Sequence, residues 1–292
     1  MKKVNLLTSI LLMLLTIPLQ SIAQEKGISD SIVKESLMEK KSYGVVGANY
    51  SSDLVFLGRK SSAKTPYLST TAGYYHKSGL FINGAASFLA VSGVNRIDLV
   101  ALTTGYDFYL KNFSAGISGT KYFFDKKSYT VKSDISGYIS VYADYDFDIV
   151  DVYIDVSTYF GNTSDFISGL ALSHNFYAAN DHLNIIPTFY LNAGTQNYYT
   201  NYNNNIRLGR HMLEGGSSQS VGTGMMSGGL FKVLDYELSV PISYTIKKFR
   251  FSFTPVFTIP VNPATITNNQ VTYKEDISNN FFWLLGVSFK FL

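Results

Sequence analysis

The chain has 292 residues, a net charge of +3 and no cysteine, so disulfides and thiolate metal sites are excluded and its basicity is too slight to indicate nucleic acid. Charged residues are only 15%, against roughly 25% in ordinary soluble domains, while 22 Tyr and 21 Phe bring aromatics to 15%. A bundle of membrane helices is excluded as well: past the N-terminus, charge-poor stretches such as 251 to 273 are broken by Pro255, Pro260 and Pro263, and none reaches the roughly 20 apolar residues of a spanning helix.

At the N-terminus, Lys2 and Lys3 precede an apolar run from Leu6 to Leu19, and Ser21-Ile22-Ala23 then forms a small-x-small site. This reads as a secretory signal peptide over 1–23, leaving Gln24 first, with no Cys behind it for a lipid anchor. Residues 24–43 are expected to be a periplasmic segment, a short helix or disordered, because Ile28, Ile32 and Val33 bury too little to fix it.

From residue 44 onward the chain alternates. In 135 to 147 the odd positions Ile135, Gly137, Ile139, Val141, Ala143, Tyr145 and Phe147 oppose Ser136, Ser140, Asp144 and Asp146, with Asp134 just before them. In 150 to 160 Val150, Val152, Ile154 and Val156 oppose Asp151, Tyr153, Asp155 and Tyr159. In 234 to 246 Leu234, Tyr236, Leu238, Val240, Ile242 and Tyr244 oppose Asp235, Glu237 and Ser243. Period-two runs of about 11 residues suit tilted membrane strands, whereas strands of soluble sandwiches are commonly about five or six long.

Twelve such segments are expected: 44–52, 66–76, 79–89, 97–110, 112–124, 133–146, 149–160, 164–177, 182–193, 234–246, 248–260 and 280–292. Ten or fourteen are the alternatives, because 194–233 is hard to read. Tight turns follow every second strand, near Lys77-Ser78, Lys111-Asn112, Phe147-Asp148, Ala179 to Asp181 and Lys247-Lys248; the other connections are generally longer. Short periplasmic turns and long outer loops put both termini in the periplasm. Aromatics on the apolar parity fall at strand ends, Tyr106, Phe108, Tyr145, Phe249, Phe289 and Phe291 at one end and Phe88, Phe160, Phe166, Phe257, Phe281 and Trp283 at the other, as two interfacial girdles would.

The polar parity carries the candidate lumen charges: Asp134, Asp144, Asp146, Asp151, Asp155, Asp235 and Glu237, with Lys121, Arg250 and Lys290 as basic counterparts. They read two ways, as walls that set the ion selectivity of a pore or as a salt-bridged network filling a closed barrel. Arg59, Lys60, Lys64, Lys126, Lys127 and Lys132 lie in the expected outer connections, where they could pair with lipopolysaccharide phosphates or stand as solvated loop charges. Loop 194–233, rich in Asn and Gly, either folds inward as a constriction or stays outside. No metal or other cofactor is expected, since His76, His174, His182 and His211 are scattered. The two Ser/His proximities, His76-Lys77-Ser78 and Ser173-His174, fall at periplasmic strand ends, away from where an outer-membrane lipid hydrolase holds its nucleophile.

The last strand, Trp283 to Leu292, has apolar or aromatic groups on one parity and Lys290 on the other, with Gly286, Phe289 and Phe291 spaced as Gly, two residues, aromatic, one residue, aromatic. This resembles the closing strand of Gram-negative outer-membrane β-barrel proteins. The resemblance implies an all-β, antiparallel up-and-down transmembrane barrel over 44–292, with the terminal aromatics as the signal read by the barrel assembly machinery and lipopolysaccharide among its lipid partners. The function expected is a passive pore or small-solute channel; the rival is a non-conducting barrel serving as adhesin, anchor or subunit of a surface complex.

Overall fold

The computed structural model describes residues 41–60, 64–91, 96–128, 130–198, 229–268 and 271–291. The expected leader 1–23, most of segment 24–43 and the centre of loop 194–233 lie outside the described residues.

Twelve antiparallel strands form one closed barrel. They are β1 (Tyr43–Ser51), β2 (Tyr67–Tyr75), β3 (Leu80–Leu89), β4 (Ile97–Leu110), β5 (Phe113–Phe124), β6 (Ile135–Asp146) and β7 (Asp151–Gly161). Then come β8 (Asp165–Ser173 and Phe176–Ala178), β9 (Leu183–Ile185 and Thr188–Gly194), β10 (Lys232–Ser239 and Ile242–Ile246), β11 (Phe249–Pro260) and β12 (Asn280–Phe291). Each strand pairs with its sequence neighbours, and β12 closes the ring by pairing with both β1, at Gly44↔Phe291, and β11, at Phe249↔Phe289. Closure removes every free edge, which is why such a sheet can sit in lipid.

The short connections gather at one end of the barrel and the longer ones at the other. At the turn end Gly79, Lys111, Asp148, Ala179, Asn180, Asp181 and Lys247 take positive φ, the left-handed backbone a tight reversal requires. At the loop end the 162–164 connection is the short exception.

Strands β8 to β10 are each interrupted because prolines cross the wall on a diagonal. Pro187 and Pro241 have no N–H for the ladder. The pairing continues through their carbonyls: the His174 N–H donates to Pro187 O (3.3 Å), Ile186 to Pro241 O (2.9 Å) and Val240 to Pro255 O (3.2 Å). The wall bends there without opening.

The barrel is apolar outside and polar inside. Leu102, Val141, Ile154 and Leu285 stand exposed on the outer surface, while Ser69, Thr71, Ser140, Ser157 and Thr258 are buried on the inner one. That is the membrane arrangement, the reverse of a soluble barrel. The aromatic girdles stand where expected, with Tyr106, Phe108, Tyr145, Phe249 and Phe291 exposed towards the turn end and Phe160, Phe166, Phe257 and Phe281 towards the loop end.

Parity breaks at three bulges, all near the loop end: Ser87/Phe88, Ile135/Gly137 and Asn192/Ala193. A bulge inserts one residue and reverses the facing beyond it. Ile135 and Leu234, expected on the lipid side, are therefore turned into the interior and buried there.

Candidate functional site: the lumen and its inward-folded loop

The lumen has two storeys. The one at the loop end is filled by the chain itself: the connection between β1 and β2 bends into the barrel and forms a small hairpin, Val55–Phe56 against Arg59–Lys60. Leu54, Phe56 and Leu57 are buried against Leu99, Tyr122, Tyr138, Tyr159, Ile167, Tyr198 and Leu234, and Val55 against Val256, Phe282 and Leu284. The Phe56 ring meets Tyr198 and Tyr159 edge-on, at 5.1 and 5.8 Å between centroids. These apolar side chains have no place in a water-filled mouth unless they pack, and the wall supplies the matching rings.

Polar groups hold the hairpin at both shoulders. On one, Asp53 Oδ1 accepts the Leu54 N–H (3.0 Å), the Thr65 N–H (2.9 Å) and the Thr65 hydroxyl (2.8 Å), clamping the base of the loop. On the other, Arg59, 3% exposed, pairs with Glu275 of the β11–β12 connection at 3.1 and 3.3 Å. Its remaining N–H groups donate to the carbonyls of Leu57 (3.1 Å), Leu234 (3.4 Å), Val261 and Asn262 (both 3.3 Å). Burial alone would lower the Arg59 pKa, but Tyr198, Glu275 and Asp235 outweigh it and the value lies above that of an ordinary guanidinium. Gly58, at φ 72°, passes so close to the wall that a Cβ would fall 2.8 Å from Asp235 Cβ and 2.9 Å from Pro260 Cβ, and its carbonyl accepts from Asn280 Nδ2 at 2.8 Å.

Two of the expected phosphate-facing loop cations are thus corrected. Arg59 is inside the barrel, and Lys132 is buried too, its ammonium 4.5 Å from the Tyr122 ring centroid and 5.1 Å from that of Phe56. Lys60, Lys64, Lys126 and Lys127 remain exposed.

Below the hairpin the lumen is lined by short polar side chains and acids. Asp144, Asp146, Asp151, Asp155, Glu237, Arg250 and Lys290, and Asp235 at the level of the hairpin, all lie at inward positions, as their parity predicts. Two other expectations are corrected. Asp134 closes a 3-10 turn, Val131–Asp134, ahead of β6 and is not on the strand wall. Lys121 pairs with Leu102, shares the outward parity of Ile117 and Phe123, and faces out.

The acids are held by tyrosines to which the sequence reading gave no role, Tyr142 and Tyr190. Asp107, Gly116 and Tyr142 stand in one row across β4, β5 and β6, and the Tyr142 hydroxyl reaches over the bare glycine to Asp107 at 2.5 Å. A Cβ at Gly116 would lie 2.4 Å from that ring. The Tyr190 hydroxyl donates to Asp155 in the same manner over Gly169, where a Cβ would fall 1.9 Å from the phenol oxygen. Asn175 donates to Asp151 (2.7 Å), Asn192 to Asp235 (2.9 Å) and Arg250 to the Ser243 hydroxyl (2.5 Å). On the neighbouring strands β1 and β2 the paired Tyr43 and Tyr75 stack at 4.8 Å, and the Lys290 ammonium stands 4.6 Å from the Tyr43 ring centroid. The available signal for this layer was a Tyr on the polar parity, as at Tyr153 and Tyr159.

The Ser/His proximities fall as follows. His76 Nδ1 and the Ser78 hydroxyl are 2.8 Å apart on an exposed turn, where the Ser78 N–H also meets Nδ1 at 3.3 Å, a local turn bond. His174 packs edge-on against Phe176 at 4.5 Å on the outer surface, while Ser173 takes the inward parity. Among the described residues no group of three or more His, Asp or Glu is placed to hold a metal ion.

No protein-family model and no curated protein sequence matches the chain. Among solved structures it is similar to the KdgM porin at 10% identity, over 85% of this chain and 99% of that one, with a TM-score of 0.48. It is similar to the NanC porin at 10% identity, over 85% and 98%, with a TM-score of 0.46. Identity this low leaves the reading of function to the lumen itself.

Proposed function

We propose that the chain is an integral outer-membrane β-barrel, both termini periplasmic, that acts as a passive channel for small solutes and is held shut at its outer mouth by the hairpin of its first loop. It carries out no catalysis. The observation that carries this reading is the charge inventory of the interior: Asp98, Asp107, Asp144, Asp146, Asp151, Asp155, Asp165, Asp235, Glu237 and Glu275 against Arg59, Lys132, Arg250 and Lys290. A barrel filled by its own salt bridges needs matched charges, because each unmatched one keeps the cost of leaving water. An acid surplus whose turn-end members Asp144, Asp146 and Asp151 stay partly exposed suits an aqueous lumen there instead, at a strand number between filled eight-stranded barrels and open sixteen-stranded porins.

Closure is local. The hairpin is its own two-stranded sheet, tied in by Asp53, Arg59 and Asn280 and hydrogen-bonded into none of the twelve strands' ladders. Planar-bilayer recording on the refolded full-length protein, and on a variant with 53–64 replaced by a Gly/Ser linker, tests this. Brief discrete openings are expected from the first and larger, longer ones from the second. Silence from both, with each barrel shown folded by heat-modifiable migration, would leave the non-conducting adhesin or anchor as the function.

A further inference from the structure

Along the outward positions of the twelve described strands the side chains are apolar, aromatic, Gly, Ser or Thr, with His174 beside a strand break and one basic side chain, Lys121. Every other Asp, Glu, Lys or Arg of these strands stands at an inward position or at a strand's loop-end terminus. An ammonium on a lipid-facing surface is unfavourable unless it reaches the interface or an anion. Lys121 is three residues from the loop end of β5, roughly 8 Å along the axis at ~3.3 Å per residue and ~40° of tilt. Its row runs through Gly137 to Phe160 of the aromatic girdle, and its ammonium lies 6.0 Å from the Phe123 ring centroid. That is the headgroup level.

The surface beside it is recessed. Gly119, the next outward position of β5, faces open space: a Cβ built there would meet only Ile139, at 4.0 Å. Thr104 and Ile139 flank it in register on β4 and β6. Past the end of the strand, Lys126 and Lys127 are exposed in the connection to β6, whereas Arg96 is already engaged by Asp98 at 2.9 Å and Asp125 at 3.5 Å.

We propose that Lys121, with Lys126 and Lys127 above it, is a binding site for the phosphate of an outer-leaflet glycolipid, one acyl chain lying in the recess over Gly119. The phosphate supplies the counter-charge a lipid-facing ammonium lacks, and charge-assisted N–H···O bonds to it are the strong kind. The site rests on the outer-membrane orientation proposed above, with the loop end outside, and not on whether the lumen conducts.

Native mass spectrometry of the folded full-length protein released from detergent tests it, with three probes: diphosphoryl lipid A, the same lipid dephosphorylated, and inorganic phosphate. Wild type and Lys121→Arg should retain diphosphoryl lipid A, Lys121→Gln should retain at least fivefold less, and the other two probes should leave no adduct. Equal retention of the dephosphorylated lipid by wild type would overturn the proposal with no variant needed. So would undiminished lipid A on Lys121→Gln, and stable adducts with inorganic phosphate would make this an anion site and not a lipid site.

Discussion

At position 59 the chain brings an arginine into the barrel mouth and meets nearly every N–H it offers. Only a guanidinium does this: its planar fork engages Glu275 with one edge and four backbone carbonyls with the rest, which a lysine's single ammonium cannot reach together. Removing one partner of a buried ion pair costs on the order of 3–5 kcal/mol, enough to free a hairpin of two two-residue strands that the barrel strands do not pair with. Arg59→Ala should therefore expose the 53–64 segment of an intact barrel to trypsin at Lys60 and Lys64, raising the rate of cleavage at least tenfold, with Arg59→Lys in between. A cleavage rate equal to that of wild type would show that Arg59 does not hold the loop. None of this was legible in the sequence, where Arg59 opens a polar run with Lys60 and reads as a loop charge facing lipopolysaccharide phosphates or solvent. Its partner Glu275 is 216 residues away, and no local pattern records such a contact.

At the scale of elements, the strands were legible and their irregularities were not. Alternation repeats over ten or more residues in β6, β7 and β10, so a one-residue error in register would put several carboxylates into lipid, and the pattern leaves a single choice. Bulges erase that signal within one residue, which is why Leu234 and Ile135 read as outward and point in. The closing strand was the most legible element. Phe289 packs on Phe249 at 4.9 Å between ring centroids and on Phe291 at 6.3 Å, and Phe291 covers Gly44, where a Cβ would lie 2.5 Å from its ring. These contacts are modest next to the ladder that β12 shares with β1 and β11. If the terminal aromatics serve mainly as an assembly signal, Phe289→Ser/Phe291→Ser should still refold in detergent to a heat-modifiable barrel yet fail to accumulate in the outer membrane of cells. Normal accumulation in cells would confine both rings to packing.

For the whole molecule, the inside-out distribution follows from one constraint, that every backbone polar group in lipid be paired within the sheet, and closure of β12 on β1 meets it. The interior is then free to be polar, and its charges have a direction. Asp144 and Asp146 on β6 and Asp151 on β7 meet at the turn end, where Asp146 pairs in register with Asp151 and all three are partly exposed. Facing them are the stacked rings of Tyr43 and Tyr75 with the Lys290 ammonium held over the Tyr43 ring, one fixed cation against three carboxylates. A solute leaving the plug region must pass between an acidic wall and an aromatic one. The channel should thus prefer potassium over chloride, read as the sign of the reversal potential across a tenfold KCl gradient on the loop-shortened variant. Asp146→Asn/Asp151→Asn should reduce the potassium-to-chloride permeability ratio by about half or more. The screening length falls from about 10 Å at 0.1 M to about 3 Å at 1 M, so the preference should be marked in dilute salt and nearly gone in 1 M. A reversal potential of the opposite sign would mean that Arg250 and Lys290, and not the carboxylates, govern the narrowest part of the path.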